Sequence, residues 1–121
     1  MDEPKLFEAV TDGSTLVVTP ADTAGSLAGD SLSFEIEELT RRLDDGELRH
    51  VVFDFKDVPY FGSTMLGAMQ ATWKHVSSGG GKLAICNIST VEREVLQVSR
   101  FDTIWFICES REEALAAVAA R

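Results

Sequence analysis

The hydrophobic positions of this chain change their period repeatedly, and the changes mark out its elements. Phe7 to Thr11 and Thr15 to Thr19 are β-like runs separated by Asp12-Gly13-Ser14, and Asp-Gly between such runs predicts a hairpin. Pro20 to Gly29 is small and polar and reads as loop. The period then lengthens to three and four: Leu32, Ile36, Leu39 and Leu43 predict a helix opened by Asp30 or Ser31, running to about Asp44 and stopped by Gly46. Val51 to Phe55 is an apolar strand bounded by the breaker Pro59. Leu66, Met69, Trp73 and Val76 define the next helix, Ser63 to about Ser78, which ends at Gly79-Gly80-Gly81 before strand Leu83 to Cys86. Ser89 with Glu92 is a capping box, and Val91, Val95 and Val98 supply the expected buried side of that helix. Thr103 to Cys108 reads as the last strand, and Ser110 with Glu113 as a second capping box opening a helix through Leu115 and Val118.

This order, a hairpin followed by α-β-α-β-α-β-α, predicts an α/β fold with four helices on a mixed, partly parallel sheet. Val51–Phe55, Leu83–Cys86 and Ile104–Ile107 are expected as neighbouring strands, with the hairpin at one side. Without repeats or a composition shift, residues 1–121 read as one domain.

Composition narrows the function classes. A net charge of −9, from 20 acidic and 11 basic residues, argues against nucleic acid, where a basic face supplies most of the affinity. No apolar run approaches the roughly 20 residues that span a bilayer, and no signal peptide is visible. Cys86 and Cys108 lie in apolar runs and read as core thiols of a reducing compartment. A soluble, cytoplasmic protein is expected.

The chemistry concentrates at one place. Val51–Phe55 leads through a Gly turn to Gly62-Ser63-Thr64 at a predicted helix start. Exposed N–H groups and the positive end of the helix dipole favour an anion there. The hydroxyls can bind a phosphate, carry one covalently, attack a carbonyl or cap the helix. Attack lacks a base: His75 lies about 18 Å of helical rise from Ser63, and His50 is separated by about 16 Å of strand. Dinucleotide and P-loop motifs are missing, as is metal-ligand spacing among two histidines and two cysteines. No catalytic residue, cofactor or metal is implied.

Three segments, R-H-V-V-F-D-F-K-D-V-P-Y-F-G-S-T-M-L-G, G-G-G-K-L-A-I-C-N-I-S-T-V-E-R-E-V-L and F-D-T-I-W-F-I-C-E-S-R-E-E-A-L, resemble the STAS domain of bacterial anti-sigma factor antagonists. The resemblance runs from the hairpin essentially to the C-terminus. It implies a non-enzymatic regulator that binds an anti-sigma factor serine/threonine kinase, with a PP2C-type phosphatase as a further partner. The family's D-S-[ST]-G-L-G-like turn places the phosphoacceptor at Thr64, with Ser63 beside it, and a partner-binding patch at Gly62, Ser63, Thr64 and Met65. Gly62 stands where the family has Asp, Met65 where it has Gly, and Thr19-Pro20-Ala21-Asp22 replaces a G-x-[LV]-D strand ending. The alternative is a STAS scaffold subunit of a lipid-transport or stress-signalling complex, used without phosphorylation. A third reading is a small-ligand binder using the turn as an anion site.

Overall fold

The computed structural model describes residues 7–20, 30–44, 48–56 and 63–120, and the side chains at 30–35, 44, 63 and 64 fall outside that description. The elements run β1 (Phe7–Asp12), β2 (Thr15–Pro20), α1 (Asp30–Asp44), β3 (His50–Asp54), α2 (Ser63–Ser78), β4 (Leu83–Cys86), α3 (Thr90–Val98), β5 (Phe106–Cys108) and α4 (Arg111–Ala119). The expected hairpin is present: β1 pairs antiparallel with β2, from Phe7 opposite Pro20 to Asp12 opposite Thr15. Gly13 takes φ +58 in the two-residue turn, the left-handed backbone that a tight hairpin needs and that glycine adopts without a steric penalty. The other neighbours are parallel, giving one sheet in the order β1-β2-β3-β4-β5.

Burial explains the sheet's position. Alternate strand residues point to opposite faces, and here both faces are covered. Leu16, Val18, Val51, Phe53, Leu83 and Ile85 form the larger core with Ile36, Leu39 and Leu43 of α1, Met65 and Met69 of α2, and Leu96 of α3. Val17, Val52, Ala84 and Cys86 pack the other face against Ala114 and Val118 of α4. Burying each large apolar side chain contributes about 1.5–3 kcal/mol, so three helices are held on one face and α4 on the other. Gly46 and the 21–29 part of the expected loop lie outside the described residues; Pro20 ends β2.

Three expectations need correction. In α3, Val91 and Val98 are 60% and 85% exposed, and Val95 is only partly buried. The inward residues are Glu92 and Leu96, because the capping box draws Glu92 back toward Ser89 and turns its side of the helix to the core. Thr103–Trp105 is not strand. Arg100 enters the left-handed region at φ +64, Phe101–Thr103 forms a single 3-10 turn, and Trp105 N–H returns to Phe101 O at 2.9 Å. The Trp105 ring stacks on Phe101 at 4.4 Å and 7°, so Trp105 is buried by the turn and β5 starts one residue later. At α4, Ser110 Oγ accepts the Glu113 N–H at 3.1 Å, but Glu113 Oε2 accepts from Glu109 N instead of the Ser110 N–H. This second box is therefore half closed.

Candidate functional site

The parallel strands β2 to β5 share one C-terminal rim, and α2, α3 and α4 each begin there, after β3, β4 and β5. Ligand and partner chemistry in open parallel sheets gathers at such rims. Ser63 and Thr64 are the first two residues of α2, a 16-residue helix. Its first turn contains no acidic residue, whereas Glu92 occupies the first turn of α3 and Glu112 and Glu113 that of α4. The positive end of the α2 dipole is therefore not offset by a carboxylate of its own first turn.

Gly62 lies outside the described residues, as do the side chains of Ser63 and Thr64. Met65 is 1% exposed and belongs to the main core. The expectation is corrected for Met65 alone, since a thioether side chain buried in the main core cannot offer itself to a partner without leaving it. Position 65 anchors the first turn of α2 from below.

A polar cluster that periodicity did not reveal sits on the α4 side of the same rim. Asp54, the last residue of β3, is 2% exposed yet carries a carboxyl group. Asp54 Oδ1 accepts from Lys56 N at 3.1 Å and from Asn87 Nδ2 at 2.9 Å. Asp54 Oδ2 accepts from Arg111 Nε at 2.9 Å, and Arg111 Nη2 donates onward to Thr19 Oγ1 at 3.2 Å. Asn87 holds φ +58, a left-handed backbone that asparagine tolerates better than most residues. Burial alone would push the Asp54 carboxyl up. The hydrogen bonds from Asn87, Arg111 and the Lys56 N–H, with the Arg111 charge, outweigh it and hold the group below the usual carboxylate range. The ends of β2, β3 and β4 and the start of α4 are thus joined through one ionised carboxylate. The sequence signal was an acid inside an apolar strand, F-D-F, which calls for a partner; its partner lies 57 residues away.

The histidines stand apart from this rim. His50 opens β3 at its opposite end, where its Nδ1 accepts the Lys82 N–H at 3.0 Å; His75 is in the last turn of α2. The two thiols come together: Cys86 and Cys108 are register partners on β4 and β5. Burial, then the Asp54 charge, pushes the Cys86 thiol up to about 12, and burial also raises Cys108. Among the described residues no helix is long and apolar enough to cross a membrane.

Comparison with known proteins places this arrangement in context. The family model of the STAS domain matches residues 11–114. BtrV of Bordetella bronchiseptica, assigned as an anti-sigma factor antagonist, is 35% identical over 80 residues, which is 66% of this chain and 68% of BtrV. An anti-sigma-factor antagonist STAS domain protein from Planctomyces limnophilus superposes with a TM-score of 0.79 at 23% identity, over 94% of this chain and 98% of that one. SpoIIAA of Bacillus has the same fold in both its unphosphorylated form (TM-score 0.73, 19% identity, 93% of this chain and 96% of that one) and its phosphorylated form (TM-score 0.68, 18% identity, 93% and 98%).

Proposed function

The chain belongs to the STAS domain family, and from that membership we propose that it acts as an anti-sigma factor antagonist switched by phosphate at Thr64. In this reading the unphosphorylated protein binds an anti-sigma factor serine/threonine kinase in the cytoplasm and so frees a sigma factor. A PP2C-type phosphatase resets it. The protein itself performs no catalysis. The observation that carries the reading is the position of Ser63 and Thr64 as the first residues of α2, with no acid in that first turn. A phosphate adds about −1.5 to −2 charges, and a helix N-terminus tolerates that charge. On a protein whose net charge is already −9, the same charge rejects an acidic or desolvated partner surface. Ser63 is the fallback acceptor. Binding to the kinase, measured by titration calorimetry for wild type, Thr64→Ala and Thr64→Asp, tests the reading. Wild type and Thr64→Ala should bind alike and Thr64→Asp at least tenfold more weakly; equal binding by all three contradicts it.

The second reading, a STAS scaffold subunit used without phosphorylation, draws on the replacement of the family's acid by Gly62 and of its glycine by the buried Met65. It predicts that a transport or stress complex copurifies with wild type and with Thr64→Asp equally.

A further inference from the structure

At the end of the sheet opposite the α2 N-terminus, three stretches of chain meet at the start of β3. Ser14 O, in the hairpin turn, accepts the Arg49 N–H at 2.6 Å and the His50 N–H at 3.2 Å, and Lys82 O accepts the Val51 N–H at 3.1 Å. The connection from α2 to β4 lies flush against this start: a Cβ at Gly81 would stand 1.8 Å from the Arg49 carbonyl oxygen, a close approach that glycine permits. α2 itself ends on that connection, where the Gly79 and Gly81 N–H groups both donate to Val76 O.

One contact at this junction runs through a side chain. The Lys82 N–H donates to His50 Nδ1 at 3.0 Å. A main-chain N–H can only donate, so Nδ1 presents a lone pair and the neutral ring carries its hydrogen on Nε2. A proton on Nδ1 would set two N–H groups against each other. The surroundings of the ring add to that conflict. Arg49 precedes it, and Lys82 stands on the β4 side, its Nζ donating to Ala120 O and lying 5.8 Å from the centre of the Phe106 ring. Toward the hairpin, its register partner is the uncharged Thr15, with Asp12 paired to Thr15 one strand further out; α2 brings His75 in its last turn. Burial, then the Arg49 and Lys82 charges, lowers the ring below its ordinary 6.5.

We propose that His50 is a proton-sensitive clasp: neutral, it holds the Lys82 N–H and pins the lead-in of β4 to β3; protonated, it lets go and loosens the anchorage of the α2 C-terminus. The clasp is a property of the free chain and goes beyond the docking role proposed above. Histidine is the side chain whose charge ordinarily changes near neutrality. Between the folded value and 6.5, the unfolded chain holds a proton that the native ring has lost. The stability supplied by the clasp is therefore complete above 6.5 and is lost as pH falls through the folded value.

His50→Asn is the deciding variant, because its Oδ1 takes the place of Nδ1 and cannot titrate in this range. Urea unfolding of both proteins gives the ratio of folded to unfolded chain. From about pH 7.5 to about pH 5, that ratio for wild type relative to His50→Asn should fall about two- to tenfold, the range set by the net worth of one hydrogen bond. In wild-type nitrogen-15 correlation spectra over the same range, the Lys82 amide should follow the His50 ring, with a midpoint below 6.5, while the Ala84 amide inside the ladder stays in place. His75→Asn should leave the Lys82 response intact. A relative ratio that is flat or rises as pH falls overturns the proposal. So does a Lys82 amide that ignores the His50 ring, or whose response disappears in His75→Asn. The wild-type and His75→Asn spectra decide the matter even if His50→Asn fails to fold.

Discussion

Ser89 and Glu92 hold each other: Ser89 Oγ accepts the Glu92 N–H at 3.1 Å while Glu92 Oε1 accepts the Ser89 N–H at 2.8 Å. The exchange satisfies two otherwise orphaned donors at the start of α3, but it also carries the carboxyl group to 1% exposure and leaves Oε2 without a hydrogen-bond partner among the described residues. Burial pushes this carboxyl above its ordinary value of 4.5, against the opposing hydrogen bonds from Ser89.

The sign of the resulting pH effect follows from proton counting. Between the unfolded value, near 4.5, and the raised folded value, the native state holds a proton that the unfolded chain has lost. Stability from this group therefore falls as pH rises through that window. Glu92→Gln keeps an oxygen for Ser89 and cannot ionise. The urea midpoint of wild type minus that of Glu92→Gln should decline from pH 4.5 upward; a difference that is flat or rises with pH contradicts the assignment.

Asp54 has the opposite sign. Its folded carboxyl lies below the ordinary 3.8, so its stabilisation is complete above that value and is lost as pH falls through the folded one. Asp54→Ala removes the acceptor shared by Lys56, Asn87 and Arg111. Chemical denaturation at pH 7 should show a loss of about 2 kcal/mol, below the figure for a fully buried pair because Arg111 is partly in water.

Thiol chemistry offers a third check. With Cys86 buried and its thiol near 12, almost no thiolate exists at pH 8. A disulfide reagent should modify Cys108 first, and Cys86 only at the rate of unfolding. Rapid labelling of Cys86 in the folded protein is the contrary result.

Much of this architecture was legible in the chain, and the misses have physical causes. The hairpin, α1, α2 and β4 follow from periods that burial enforces, and the order of neighbouring strands followed from the alternation of elements. In α3 three valines at three- and four-residue steps imitated a buried stripe, while the true inward residues were Leu96 and the acid of the capping box. Ile104-Trp105 imitated a strand because β-propensity records fit to a half-buried surface, and Trp105 satisfies that fit by stacking on Phe101 instead. The Asp54–Arg111 bond joins residues 57 apart, a relationship that no local pattern encodes. For Ser63 and Thr64, the sequence specified a helix start, and the role proposed for them comes from the resemblance alone.

Met65 separates interface from core in the variants themselves. Aspartate at this 1% exposed site buries a charge without a partner, so Met65→Asp should lose about 3 kcal/mol or more and fail to give a cooperative transition. Val98→Ser, at 85% exposure, should change stability by no more than about 0.5 kcal/mol. Thermal unfolding of the two proteins side by side decides it; a Met65→Asp variant as stable as wild type contradicts the inward placement.

Phosphorylation of Thr64 is the central claim, and site-resolved mass spectrometry after incubation with the kinase partner and ATP tests it most directly. The account predicts one phosphate, on Thr64, with Ser63 taking it in Thr64→Ala, and loss of kinase binding by the modified protein. No phosphate on either hydroxyl, with a kinase that binds the chain and is active on another substrate, would contradict it.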